Sequence, residues 1–155
     1  MLSGMEGALF DAYRHTTFHA NTPHGRLILR VGQRCVELDD LLHRHGVITW
    51  GYVTAFNPGS VLLSVDVNVA RQSELERAIA TLGLVSYPGE GVGEEGCWPP
   101  EPSFLVLGIS RGDALKLGQK FGQLAVVCGE LGREAELVVC GPIADAPEQH
   151  QRRRL

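Results

Sequence analysis

Glu101 is the residue with the clearest chemical potential. It stands in Cys97-Trp98-Pro99-Pro100-Glu101-Pro102-Ser103, flanked by prolines and close to a tryptophan. Proline fixes φ and removes a backbone donor, so this carboxylate sits on stiff chain. The apolar run Phe104-Leu105-Val106-Leu107-Gly108-Ile109 follows at once and reads as a buried strand. A carboxylate held at a strand mouth can serve as a general base, or accept a hydrogen bond from a ligand amine. Glu101 is therefore the candidate catalytic residue. Trp98 and Ser103 are candidate ligand contacts, Trp98 as a flat wall against which a planar ligand could stack.

A second group lies on the helix expected from Ser64 to about Leu82. Its core stripe is Leu75, Ile79 and Leu82, and the same stripe continues backwards through Arg71 and Asn68. The inward face thus turns polar and cationic in its first two turns. A desolvated cation needs a partner, and the helix N-terminus favours negative charge. Arg71 and Asn68 read as a cradle for phosphate or carboxylate, or as an internal pair of Arg71 with Glu101 or Asp66. The expectation is that Arg71 contacts a carboxylate, Glu101 first. Asn57, before Pro58, and Gln123, just past a helix stop, bring two further amides. Each has a plain alternative in capping a turn or satisfying loop carbonyls. Thr54 reads as a packed strand residue.

Familiar reaction templates are missing. The sequence holds no G-x-S-x-G elbow, Walker A loop, H-E-x-x-H or dinucleotide fingerprint, so no cofactor is expected. Gly89-Glu90-Gly91-Val92-Gly93 is acidic and a poor phosphate cradle. The histidines share no ligand spacing, and His43 and His45 at i, i+2 cannot face one another, so none is assigned to metal. Four cysteines without a C-x-x-C pair read as reduced, cytoplasmic thiols. Cys128 and Cys140 look like core side chains, and Cys97 alone is a candidate reactive thiol.

The elements that must position these groups follow from pattern. A chain of 155 residues with 44% apolar and 21% charged composition is one globular domain, expected over 1–143 with a frayed tail over 144–155. A net charge of −4 gives no general attraction to nucleic acid, and Arg152-Arg153-Arg154 falls in the tail. No apolar run approaches the ~20 residues of a membrane span, and Met1 to Phe10 does not read as an export signal.

Leu27 to Val31 reads as a strand and Glu37 to His45 as a helix stopped by Gly46. Val47 to Phe56 is apolar on both faces and reads as the central strand. Ser86 to Ser103 reads as a long loop, Phe104 to Ile109 as a strand, and Ser110 as the start of a helix with stripe Ala114, Leu117, Gly118 and Phe121. Leu124 to Cys128 and Ala135 to Cys140 close the series, joined by a hairpin connection. The expected class is α/β (α+β), a single layered domain with a mixed central sheet and three to four helices.

Taken in order, several of these segments carry a resemblance. They are Leu29-Arg30-Val31-Gly32-Gln33, Thr54-Ala55-Phe56-Asn57-Pro58, Asn68 with Arg71, Trp98 to Ser103, and Lys120-Phe121-Gly122-Gln123. The chain resembles the uncharacterised bacterial family called domain of unknown function 3293, from about Tyr13 to Val139. It departs from that pattern at Phe56, where a Trp is expected, and at Leu124, where an Asn is expected. The resemblance implies that the motifs belong to one domain and brings no activity, cofactor or substrate.

Two function classes remain. One is a small-ligand site, catalytic or not, for an anionic nucleotide- or carboxylate-like molecule in a cleft at the strand ends. It is built from Asn57, Asn68, Arg71, Trp98, Glu101, Ser103 and Gln123. The other is a non-catalytic interaction domain in which the same residues form an internal polar network. Oligomeric state is not legible.

Overall fold

The computed structural model describes residues 4–94 and 98–141; Cys97 and the tail over 144–155 lie outside the described residues. In chain order the elements are α1 (Gly4–Arg14), β1 (Thr17–Thr22), β2 (Gly25–Leu29), α2 (Val36–Arg44), β3 (Thr49–Val53) and α3 (Val65–Thr81). They continue with β4 (Val85–Val92), β5 (Glu101–Leu107), α4 (Arg111–Lys120), β6 (Ala125–Glu130) and β7 (Glu136–Val139). A 3₁₀ turn, Pro58–Ser60, follows β3.

All seven strands form one sheet in the order β2-β1-β4-β5-β3-β6-β7. The middle four strands carry its logic. The crossover β3-α3-β4 leaves a gap that β5 fills, and β5-α4-β6 spans β3 in the same manner. This is the split-βαβ, ferredoxin-like order. The fold is α+β. The expected mixed sheet is corrected, because every ladder between named strands is antiparallel. Helix-strand alternation suggested parallel neighbours, but in each crossover a third strand separates the two parallel strands. Among the described residues the one parallel pairing outside the strands is the bridge Val31 to Ala135. Gly32 N donates to Ala135 O at 2.8 Å and Ala135 N to Gln33 O at 3.0 Å. That bridge links the chain just past β2 to the chain just before β7, so the sheet curls with its edges drawn together.

Both faces are covered. Helices α3 and α4 pack on the outer face through Leu75, Ile79, Ala114 and Leu117, against Val53, Val106 and Val126. Helix α2 packs on the inner face through Leu38, Leu41 and Leu42, against Trp50, Tyr52, Leu105 and Leu107, and α1 adds Phe10 and Tyr13 there. Full burial of each such aliphatic side chain contributes about 1.5–3 kcal/mol. Ser64 and Ser110 cap α3 and α4, accepting from Val67 N at 3.3 Å and Asp113 N at 3.0 Å.

β3 is the central strand, flanked by β5 and β6, but it is shorter than Val47 to Phe56. Ile48, expected to pack, is 63% exposed because it precedes the paired stretch. Leu82 is likewise corrected: it is the C-cap of α3, 42% exposed, past the last turn that faces the sheet. The largest correction concerns Ser86 to Ser103. Most of it is not loop but β4 and the start of β5, paired from Val85↔Leu107 to Gly91↔Glu101. Pro88 is tolerated because the pairing with β1 ends at Gly89, one residue away.

Gly118 shows how tightly α4 sits on the sheet. A Cβ there would lie 2.6 Å from Cys140 Sγ and 2.6 Å from Val126 Cγ1. Gly118→Ala is expected to destabilise the protein by about 1–3 kcal/mol through overpacking. A urea unfolding midpoint equal to that of the unsubstituted protein would contradict this packing.

Candidate functional site

Alternate residues of a strand face opposite sides of the sheet. On β5, Leu107 and Leu105 belong to the inner core, so Ser103 and Glu101 continue the same face. On β3, Trp50 and Tyr52 lead to Thr54; on β6, Val127 leads back through Ala125 to Gln123. The registers Val53↔Phe104 and Tyr52↔Val127 bring these three polar ends to one end of the sheet. The inner face is thus apolar for most of its length and turns polar together on three adjacent strands.

A cavity of about 450 Å³ occupies this end. Asn57, Trp98, Glu101, Ser103 and Gln123 line it, with Tyr52 from β3 and Thr54 just past it, Phe18 from β1, Asp11 and Tyr13 from α1, and His15 just past that helix. Asn68 and Arg71 do not line it. Five of the seven expected ligand-site residues therefore share the cavity and two stand behind it.

Glu101 is held from two sides. Asn57 Nδ2 and Trp98 Nε1 both donate to its Oε2, each at 2.8 Å. Among the described residues no group donates to Oε1, and no cation pairs with the carboxylate. Ser103 is buried and donates to Glu101 O at 3.0 Å. Thr54 Oγ1 donates to Pro102 O at 2.7 Å, which fixes the chain beside Glu101.

Asn57 is placed by a reciprocal pair with Asn68. Its backbone N donates to Asn68 Oδ1 at 2.9 Å, and Asn68 Nδ2 donates to Asn57 Oδ1 at 2.8 Å. Leu63 N also donates to Asn57 Oδ1, at 2.9 Å. Asn57 adopts the left-handed conformation, φ 47°, which asparagine tolerates better than most residues. Both asparagines are buried, at 5% and 3% exposure. With every polar group of the pair engaged, Asn57 can aim its amide at Glu101 without free rotation.

The expected contact of Arg71 with a carboxylate is corrected. Arg71 Nε donates to Ala55 O at 2.9 Å and its guanidinium also donates to Phe121 O; neither Glu101 nor Asp66 pairs with it. The helical phase was legible, since Arg71 does turn inward, but its acceptors are backbone carbonyls at the ends of β3 and α4. Gln123 has a similar role, donating to Phe56 O at 3.0 Å. Arg71, Asn68 and Gln123 together brace the chain that carries Asn57.

Tyr13, Phe18 and Tyr52 were not singled out from sequence. Tyr13 and Phe18 stack at 5.9 Å between centroids, and Phe18 meets Tyr52 edge-on at 5.2 Å. Tyr52 Oη donates to His19 O at 2.7 Å. Burial pushes the Tyr13 phenol well above its ordinary range, and the charge of Glu101 adds to that shift. Burial also raises Tyr52. Both phenols stay protonated at neutral pH, and the proton of Tyr52 is engaged by His19 O. The signal for Tyr52 was its place beside Thr54 on one strand face; Tyr13 had none, because α1 was not read as a helix.

Among the described residues no group of three or more His, Cys, Asp or Glu side chains is placed to hold a metal ion. Cys128 and Cys140 lie in the outer core, and burial raises both thiols to about 11. No helix among the described residues is long and apolar enough to cross a membrane.

No curated protein and no solved structure matches the chain. A family model described as Protein of unknown function (DUF3293) matches residues 53–126. That segment runs from the end of β3 to the start of β6, and it contains Asn57, Asn68, Arg71, Trp98, Glu101, Ser103 and Gln123. Over that segment, a little under half of its length, the chain is similar to the DUF3293 family.

Proposed function

We propose that the protein binds a small organic molecule in the cavity at the polar end of the inner sheet face, with Glu101 as the central acceptor. The observation that carries this reading is the state of Glu101: one carboxylate oxygen is fixed by two N–H donors while the other, beside a 450 Å³ cavity, has no protein donor among the described residues. Cavities of this size are typical of small-molecule sites. The anion expected from sequence loses its main support, because Arg71 is engaged by carbonyls away from the cavity. A ligand offering an N–H or O–H to Glu101 fits better. Oε1 is also where a bound donor would lose a proton, so any catalysis would run through Glu101 as general base. Reduced thiols and the lack of a membrane-spanning helix among the described residues fit a cytoplasmic setting.

The test is a thermal-shift screen of polar small molecules on the full chain and on Glu101→Gln. A ligand at 100 times its Kd stabilises by about 2.7 kcal/mol, a shift of several degrees. Glutamine can accept from Asn57 and Trp98 while turning an amide donor toward the cavity. The expected result is at least one compound that raises the Tm of the unsubstituted protein and not that of the variant. The second reading, a non-catalytic interaction domain, is favoured by the mutual satisfaction of Asn57 and Asn68; a screen with no stabiliser would select it.

A further inference from the structure

The charge balance of the cavity narrows its occupant. Among the described residues its acidic lining consists of Asp11, Glu94 and Glu101, with His15 beside them and neither lysine nor arginine. Asp11 has its own cation in Arg14, 3.6 Å away at the surface. Glu101 pairs with no cation among the described residues; only the neutral donors of Asn57 and Trp98 face its carboxylate. Glu101 is half-buried, and with two neutral hydrogen bonds to one oxygen the other is open to an occupant of the cavity. Four aromatic side chains stand in the wall with it: Tyr13 stacked on Phe18, Phe18 edge-on to Tyr52, and Trp98, whose indole is bonded to Glu101 itself. Aromatic faces attract cations and repel anions, and a ring beside a carboxylate is the standard way to hold an organic ammonium.

Resting on the reading of this cavity as a ligand site, we propose that its occupant is an organic cation. A primary or substituted ammonium would lie against Glu101 Oε1, with its apolar body along Tyr13, Phe18 and Tyr52. The ammonium supplies the missing counter-charge, and its N–H donors suit the free oxygen. The body of the ligand replaces water along an aromatic wall that offers it few hydrogen bonds.

Calorimetric titration with three probes of matched shape tests this: 2-phenylethylammonium, 2-phenylethanol and 3-phenylpropanoate. The expected result is that the ammonium binds roughly tenfold tighter than the alcohol or more, and that Glu101→Gln brings the two to parity. The carboxylate is expected not to bind. Equal or tighter binding of the alcohol or carboxylate, still weakened by Trp98→Ala, would overturn the cation and leave the cavity as a ligand site. Absence of binding by all three overturns both. The unfolding midpoint of each variant, measured alongside, separates loss of binding from loss of fold.

Discussion

Replacing Asn57 by alanine is expected to lower the unfolding free energy by about 2–5 kcal/mol, because each donor left unsatisfied costs about 1–3 kcal/mol. The side chain is buried, accepts from Leu63 N and Asn68 Nδ2, and donates to Glu101. Alanine leaves two donors without acceptors and also suffers at φ 47°. The same variant should lose ligand-induced stabilisation, because Glu101 then keeps only the Trp98 donor. Urea unfolding checks the first effect. A loss below about 1 kcal/mol would mean that the asparagine pair does not brace the site.

Asn57→Asp separates bracing from aiming. Aspartate tolerates the backbone conformation and retains both acceptor contacts, but it sets a second carboxylate against Glu101. One of the two must then have a raised pKa. A group whose folded pKa is raised contributes stability below its unfolded pKa and loses it as pH rises through the folded value. The deficit of this variant should therefore be smallest in acid and grow toward neutrality. A deficit independent of pH would show that residue 57 and Glu101 do not face each other.

Gly89→Ala is the substitution expected to damage the fold most. A Cβ at this position would lie 1.7 Å from His19 O and 2.9 Å from Ala20 Cα, both backbone atoms of β1. Gly89 is paired on both sides, with Ala20 and Ser103. The clash cannot be relieved by a rotamer change, so β1 must move away from β4, and with it the sheet extension and Phe18. A loss at or beyond the upper end of the overpacking range, about 3 kcal/mol, is expected, with poor recovery of folded protein. Near-normal stability would contradict the close approach of these two strands.

How much of this was legible in the sequence depended on what each residue was measured against. Helix α3 was readable because Leu75 and Ile79 set a phase that Asn68 and Arg71 follow, and the phase held. The central position of β3 was readable because residues on both its faces are apolar. Strand β4 was hidden by its own composition: Pro88, Gly89 and Gly91 look like loop residues. Gly89 is there because β1 passes too close for a side chain, and Pro88 because the β1 ladder stops before it. Missing β4 also turned a split βαβ arrangement into an expected mixed sheet.

The site divides in the same way. Stiff, proline-flanked chain at a strand mouth marked Glu101, with Trp98 and Ser103 beside it, and the end of a helix marked Gln123. The partners of Arg71 could not be read, since main-chain carbonyls leave no trace in residue identity. Tyr13 and Phe18 reach the cavity from elements outside the segment that carries the family match, and only the curl of the sheet brings them there.

The most direct test of a ligand site at Glu101 is the indole N–H signal of Trp98 in a ¹⁵N–¹H NMR titration with 2-phenylethylammonium and 2-phenylethanol. The chain has two tryptophans, and Trp50, 3% exposed within the inner core, provides the internal reference. Trp98 Nε1–H is bonded to the carboxylate that the ligand would contact, so its signal should shift saturably with at least one probe while that of Trp50 holds still. In Glu101→Gln the response to the ammonium should vanish. A Trp98 signal unmoved by either probe at saturating concentration would contradict the account.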